Sequence, residues 1–306
     1  MVTPAFLFAG QGSQYVGMGK DLYESFPESK AVFDKADEVL GFSLTGIIFN
    51  GPQEELTKTQ NCQPAILTMS VAAWEAFKSA SNLKLQASSY AAGLSLGEYS
   101  ALVAAEAISF QDAVYLVRRR GEFMEEEAVK KQGGMLSVIG LDLAKVKEIC
   151  LKTNTEIANI NCPGQVVVSG GVREIESAQV EAKSSGAKMA VKLEVSGAFH
   201  SSFMSGASLK LAKELYKIKV TAPKFSFISN VCAKKVDSSA EIKDNLIKQV
   251  ASSVLWESSM RIILSSGINK FYEFGPGKVL RGLMRRIEPQ AQVTNIEKKE
   301  DILVLN

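Results

Sequence analysis

Residues 90–107 confine this chain to a narrow set of folds. A short apolar run, Tyr90-Ala91-Ala92, leads into Gly93-Leu94-Ser95-Leu96-Gly97 and then into an alanine-rich helical stretch over 98–107. A G-x-S-x-G run between a strand and a helix reads as a nucleophile elbow, with the serine held on a tight, exposed turn. The same strand–turn–helix rhythm recurs. An apolar strand over 5–9 precedes the glycine turn 10–14, a strand is expected near 225–229, and a strand over 269–274 runs into Gly275-Pro276-Gly277 and a basic helix over 278–287. Helices are expected over 29–40, 64–77, 208–216 and 242–250, and Ser109 with Asp112 reads as a capping pair opening another. The stretch 64–77 is apolar nearly all round and reads as a buried helix. Strands alternating with helices imply an α/β body built on a mostly parallel sheet covered on both faces.

The rhythm changes from about residue 131. Strand 135–139, helix 143–151, strands 156–161 and 166–169, helix 175–184 and strand 188–195 follow in the order βαββαβ. That order is the ferredoxin-like motif, a self-sufficient two-layer unit. The expected organisation is a large α/β-hydrolase-like domain in two parts, 1–130 and 196–306, with a ferredoxin-like small domain inserted over 131–195.

Bulk properties remove several function classes. With 46% hydrophobic and 22% charged residues, the chain has ample core. A formal net charge of +2 is too mild to imply a nucleic-acid or membrane partner. No run of 18 apolar residues offers a membrane span. A strand pattern begins almost at once, leaving no room for a targeting peptide. The expected location is the cytoplasm, or an organelle stroma or matrix if the sequence is a trimmed precursor. Cys62, Cys150, Cys162 and Cys232 are scattered, without a C-x-x-C pair or a histidine cluster, so a metal site is not expected. The glycines after the first strand do not make a nucleotide loop. Tyr15 stands where a dinucleotide fingerprint needs glycine, and Met18 where a phosphate loop needs lysine. A glycine turn that brings backbone close to something else is the better reading.

Serine is a weak nucleophile without a base in reach, and His200 is the only histidine of the chain. Ser95 could also simply cap the helix that follows it, since serine is a preferred N-cap, although the nucleophile is the better reading and the two can hold together. An isolated histidine is often structural. Yet His200 lies in a small, polar segment, Ser196-Gly197-Ala198-Phe199-His200-Ser201-Ser202, of the kind in which function concentrates. It follows Ser95 by 105 residues, the serine-then-histidine order of α/β-hydrolases. No aspartate between them stands out to orient the imidazole, which counts against an ordinary serine hydrolase. Arg118-Arg119-Arg120 would, by composition alone, be a solvated basic stretch.

End to end, the chain resembles the malonyl-CoA:acyl-carrier-protein transacylases of fatty-acid and polyketide synthesis. The resemblance rests on Phe8-Ala9-Gly10-Gln11-Gly12-Ser13-Gln14, Gln63-Pro64-Ala65, Gly93-Leu94-Ser95-Leu96-Gly97-Glu98-Tyr99 and Arg120-Gly121 with Phe123-Met124. Asn161-Cys162-Pro163-Gly164-Gln165, His200, Gln249 and Phe274-Gly275-Pro276-Gly277-Lys278 extend it.

The resemblance implies that Ser95 takes the malonyl group as an ester, with His200 as general base and acid. It further implies that the backbone N–H groups of Gln11 and Leu96 form the oxyanion hole, and that Arg120 clamps the malonyl carboxylate beside Gln63. The main-chain carbonyl of Gln249 would orient the imidazole in place of an acid. No permanently bound cofactor is implied. The CoA thioester is a substrate, and the partner is an acyl carrier protein met by a monomer. Two positions depart from relatives. Leu94 stands where histidine is common, and Gly197 opens a segment resembling a His-Ala-Phe-His signature in which Phe199 would crowd a methyl group on the substrate. Lys278, Arg281, Arg285 and Arg286 fall on one face of the last basic helix, either to dock an acidic carrier or simply as a solvated face. A serine hydrolase and a non-catalytic carrier-binding module are the competing functions.

Overall fold

The structure, a computed structural model, describes residues 3–81 and 89–304. Its strands in chain order are β1 (Ala5–Phe8), β2 (Tyr90–Gly93), β3 (Gly133–Ile139), β4 (Glu156–Cys162) and β5 (Gln165–Gly171). They continue with β6 (Met189–Lys192), β7 (Ser226–Ser229), β8 (Lys234–Val236), β9 (Lys270–Phe274) and β10 (Gln292–Ile296). Two sheets result. One has six strands in the order β10-β9-β1-β2-β7-β8, and the other four in the order β4-β5-β3-β6.

The larger sheet is parallel except at β8, which returns on β7 as an antiparallel edge. Its central strand is Ala-Phe-Leu-Phe, buried on both faces, as parallel strands covered by helices require. On one face Phe6, Phe8, Trp74 and Phe274 form an aromatic nucleus, with ring centroids 4.9 Å apart for Phe6–Trp74 and 5.4 Å for Phe8–Phe274. Strands β1, β2 and β9 end in register, Phe8 beside both Gly93 and Phe274. Three glycine-bearing turns therefore meet beyond their carboxyl ends, where open α/β sheets bind ligands.

The smaller sheet is antiparallel and carries the helices Leu143–Thr153 and Val172–Ser184. Several contacts tie it to the larger body, Glu156 accepting from Ser202 among them. Val254 bridges β4 through Ala158 and Ile160, Arg286 reaches Gln165 and Pro163, and Ser169 Oγ donates to the Phe199 carbonyl at 2.6 Å. The last of these grips the residue just before His200.

The helix expected over 64–77 runs from Thr59 to Ala80, with Pro64 inside it. Proline cannot donate to the carbonyl four residues back. That carbonyl, of Gln60, accepts instead from Arg118 Nη1 at 3.2 Å. The long-range donor is why the helix survives its proline and starts a turn and a half earlier than residue pattern alone indicates. No helix among the described residues is long and apolar enough to cross a membrane.

Candidate active site

The elbow is enforced by its glycines. A Cβ on Gly93 would lie 1.9 Å from the Gly97 carbonyl carbon, and one on Gly97 would lie 2.2 Å from the Phe8 carbonyl oxygen. Strand and helix thus approach more closely than any side chain permits. Ser95, at the apex, has φ 52°, a left-handed conformation that a non-glycine residue adopts at a cost of about 1–3 kcal/mol. The helix Gly97–Ala104 has Leu96 at its N-cap and receives no side-chain cap there. The capping alternative for Ser95 therefore fails: its hydroxyl is directed elsewhere.

That hydroxyl lies 2.7 Å from His200 Nε2. His200 Nδ1 lies 2.8 Å from the Gln249 main-chain oxygen, and a carbonyl only accepts, so Nδ1 carries the proton. Nε2 is then a lone pair aimed at the Ser95 O–H. His200 also has a left-handed backbone (φ 57°), pinned by Ser169 on Phe199 and by Ser201 Oγ on the Ala198 carbonyl. Burial away from water, with the Arg120 charge nearby, pushes the imidazole down to about 4. The imidazole is neutral at neutral pH.

Of the three arginines, Arg119 ion-pairs with Glu122 and lies against Phe123, while Arg118 bonds Gln60, Asn61 and Glu122. Only Arg120 enters the site, and it is 1% exposed. Gly121 lets this happen, because a Cβ there would lie 2.7 Å from Gln60 Cα. The helix Phe110–Lys130 so packs backbone-close to Thr59–Ala80. Arg120 Nη1 donates to Gln63 Oε1 at 2.7 Å, and Nη2 to Ser95 Oγ at 3.1 Å and Gln249 Oε1 at 3.0 Å. Its buried Nε–H has no acceptor among the described residues. An unpaired donor of this kind costs about 1–3 kcal/mol and marks a place for an anionic ligand.

Gln11 follows Gly10, where a Cβ would lie 2.6 Å from the Leu94 carbonyl oxygen. The turn after β1 is thereby pressed against the elbow, which is what its glycine is for. Among the described residues, neither the Gln11 nor the Leu96 N–H donates to a protein group. Phe199 is buried in the main core, and Leu94 packs beside the core on the other face of the sheet. Gly197 faces Ala128, 2.7 Å from where its Cβ would be, so this chain has no room for a larger residue there.

The basic residues of the helix Val279–Ile287 lie apart from this cluster. Lys278, Arg281 and Arg285 are exposed and without ion-pair partners among the described residues. Arg286 is engaged with the β4–β5 turn.

Two site residues escaped the sequence reading. Asn230 Oδ1 accepts from the Ser95 N–H at 2.7 Å, and its Nδ2 donates to the Gly93 carbonyl at 2.9 Å. Nothing in the local pattern around Asn230 signals this. Glu98 is fully buried beneath the elbow and accepts from the Asn230 N–H and from Gln249 Nε2. A carboxylate within an otherwise apolar, alanine-rich helix was the available signal.

Residues 5–281 match the family model for the acyl transferase domain. The chain is 46% identical over 303 residues to the malonyl CoA-acyl carrier protein transacylase of Bacillus subtilis, covering 97% of this chain and 94% of that protein. Among solved structures, the malonyl CoA-acyl carrier protein transacylase of Coxiella burnetii superposes with a TM-score of 0.94 at 37% identity, covering 99% and 98% of the two chains. A malonyl-transacylase solved in complex with its type II PKS acyl-carrier protein superposes with a TM-score of 0.95 at 37% identity and the same coverage.

Proposed function

The chain belongs to the acyl transferase domain family, and from that premise we propose that it moves a malonyl group from malonyl-CoA to the phosphopantetheine thiol of an acyl carrier protein. The activity is that of a malonyl-CoA:acyl-carrier-protein S-malonyltransferase. The observation that carries the reading is one hydroxyl, Ser95 Oγ, within hydrogen-bond reach of both a neutral imidazole and a buried guanidinium.

In this reading Ser95 Oγ attacks the thioester carbonyl carbon while His200 Nε2 takes its proton. The negative charge that develops on the carbonyl oxygen is met by the N–H groups of Gln11 and Leu96. Collapse breaks the carbon–sulfur bond, and the imidazolium returns its proton to the departing CoA thiolate. The malonyl group remains as an ester on Ser95. In the second half, His200 takes the proton of the carrier thiol. The sulfur attacks the ester carbon, and the Ser95 oxygen leaves and is reprotonated. Arg120 binds the free carboxylate of the malonyl group throughout, its partnerless Nε–H being the support for this role. Gln63 and Gln249 hold the guanidinium in place, and the Gln249 carbonyl keeps the imidazole in the reactive tautomer. Phe199 shapes the acyl side of the pocket against a branched substrate.

The same proposal takes the small antiparallel unit as a ferredoxin-like insertion over 131–195 between the two parts of a hydrolase-like body, 1–130 and 196–306. The strand order β4-β5-β3-β6 supports it. It takes the protein as a cytoplasmic monomer supplying fatty-acid elongation, with Lys278, Arg281 and Arg285 meeting the acidic carrier and Arg286 contributing from its contact with the small sheet.

Product analysis tests it. Malonyl-CoA is supplied with and without carrier protein. Malonyl transfer to the carrier, with little free malonate in its absence, is the expected result. Free malonate at the same rate in both cases would identify a hydrolase.

A further inference from the structure

We infer that Glu98 is a positioning residue for acyl transfer, its buried carboxylate fixing Asn230 and Gln249 and, through them, Ser95, His200 and Arg120. The inference rests on the acyl-transfer reading of the site.

Glu98 is fully buried, and its two oxygens accept from different elements, Oε1 from the Asn230 N–H after β7 and Oε2 from Gln249 Nε2 at the end of the helix Ser239–Gln249. Both partners touch the reacting serine. Asn230 bridges the Ser95 N–H and the Gly93 carbonyl, and Gln249 Nε2 donates its second proton to the Ser95 carbonyl at 2.9 Å. Ser95 thus has both of its backbone groups held by the side chains of two residues that Glu98 fixes, Asn230 through its main-chain N–H and Gln249 through its amide. That is how its left-handed conformation is kept.

Gln249 is the pivot. Its amide has its nitrogen toward Glu98 and its oxygen toward Arg120 Nη2, while its main-chain oxygen accepts from His200. Reversing the amide would set oxygen against carboxylate and N–H against guanidinium. The anion and the cation on either side of Gln249 therefore select one orientation. Glutamine at position 98 could accept from only one of the two N–H groups and would oppose the other with a donor.

The groups facing Glu98 are Arg120 from the helix Phe110–Lys130, Tyr99 beside it on its own helix, the Ser229 hydroxyl at the end of β7, and the neutral N–H donors of Asn230 and Gln249. Burial raises the carboxyl to about 8, against the pull of the two N–H donors and of Arg120. The ionised form is the one that accepts from both amides, so the active arrangement is completed as pH rises through that value.

The test is single-turnover malonylation of Ser95, followed by intact-protein mass between about pH 6 and 10. Wild type should show a rise in rate near pH 8. Glu98→Gln should lose that step and acylate about 100-fold more slowly, the order expected for a misplaced reacting group, with the loss falling mainly on the acylation rate rather than on KM for malonyl-CoA. A Glu98→Gln profile that superimposes on wild type after scaling, or a loss confined to KM, overturns the inference. Gln249→Met, which keeps the main-chain carbonyl, should lose the same step, and the double variant should be no slower than the slower single. Multiplied losses would equally overturn it. If Glu98→Gln does not fold, Gln249→Met alone decides, by loss or retention of the step near pH 8. Wild type that forms no malonyl adduct at all refutes the acyl-transfer reading instead.

Discussion

Arg120 is a cation kept almost wholly out of water, and its surroundings explain how. Three side-chain oxygens accept from it, Tyr99 lies beneath it with the ring centroid 6.0 Å from its central carbon, and Glu98, once ionised as pH rises through about 8, adds a nearby negative charge. Two of its five N–H groups, the Nε–H and the second on Nη1, have no protein acceptor among the described residues. Arg120→Ala should therefore cost malonyl transfer at least about 10-fold more than acetyl transfer, since acetyl has no carboxylate to lose. Parallel kinetics on the two CoA esters check this, and equal losses would remove the clamp. For His200 the sign of the pH effect is fixed by burial. The folded protein keeps the imidazole neutral down to about 4, against an ordinary value of 6.5, so a second fall in acylation rate, below the Glu98 step near pH 8, should come near 4. Between those values the unfolded chain binds a proton that the folded one refuses, so stability falls as pH falls through that window. The melting temperature of wild type minus that of His200→Ala should fall as pH falls through it.

At the scale of elements, the glycines of the elbow are predicted to be irreplaceable for geometric reasons. Gly97→Ala places a methyl 2.2 Å from the Phe8 oxygen and should force strand and helix apart, losing several kcal/mol, on the order of an overpacked core. Gly134→Ala in β3 meets nothing within 4 Å and should leave the melting temperature unchanged or slightly raised. Denaturation curves of the two variants make the comparison. The legibility of the sequence follows the same division. Strands such as Ala5–Phe8 and Tyr90–Gly93 were readable because burial on both faces demands unbroken apolar runs, and the Ser109–Asp112 cap because it is local. Edge strands β8 and β10 were not, being short and partly polar. The start of the helix Thr59–Ala80 was hidden because the donor that rescues Pro64 comes from Arg118, 58 residues away from the carbonyl it serves. Ser95, His200 and Arg120 were legible as residue types in a recognisable registration. Asn230 was invisible, because its role is defined only by the tertiary approach of β7 to the elbow.

At the scale of the whole molecule, the site is a meeting of parts distant in sequence. The elbow comes from β2, the glycine turn bearing Gln11 from β1, the guanidinium from the helix Phe110–Lys130, the imidazole from the segment gripped by β5, and the carbonyl that holds the imidazole from the end of Ser239–Gln249. The smaller sheet thus matters to the chemistry through Ser169 as well as to shape. Carrier recognition belongs to this scale too. Charge reversal at Arg281 and Arg285 should raise KM for the carrier protein, more steeply at low salt, and leave KM for malonyl-CoA untouched. A matching rise for both substrates would mean that these side chains act on the fold. The central claim is that Ser95 carries the acyl group between two thiols, and intact-protein mass after brief exposure to malonyl-CoA tests it most directly. Wild type should gain the mass of one malonyl group and lose it when carrier protein is added, while Ser95→Ala should gain nothing. A malonyl adduct that persists on Ser95→Ala would contradict the account.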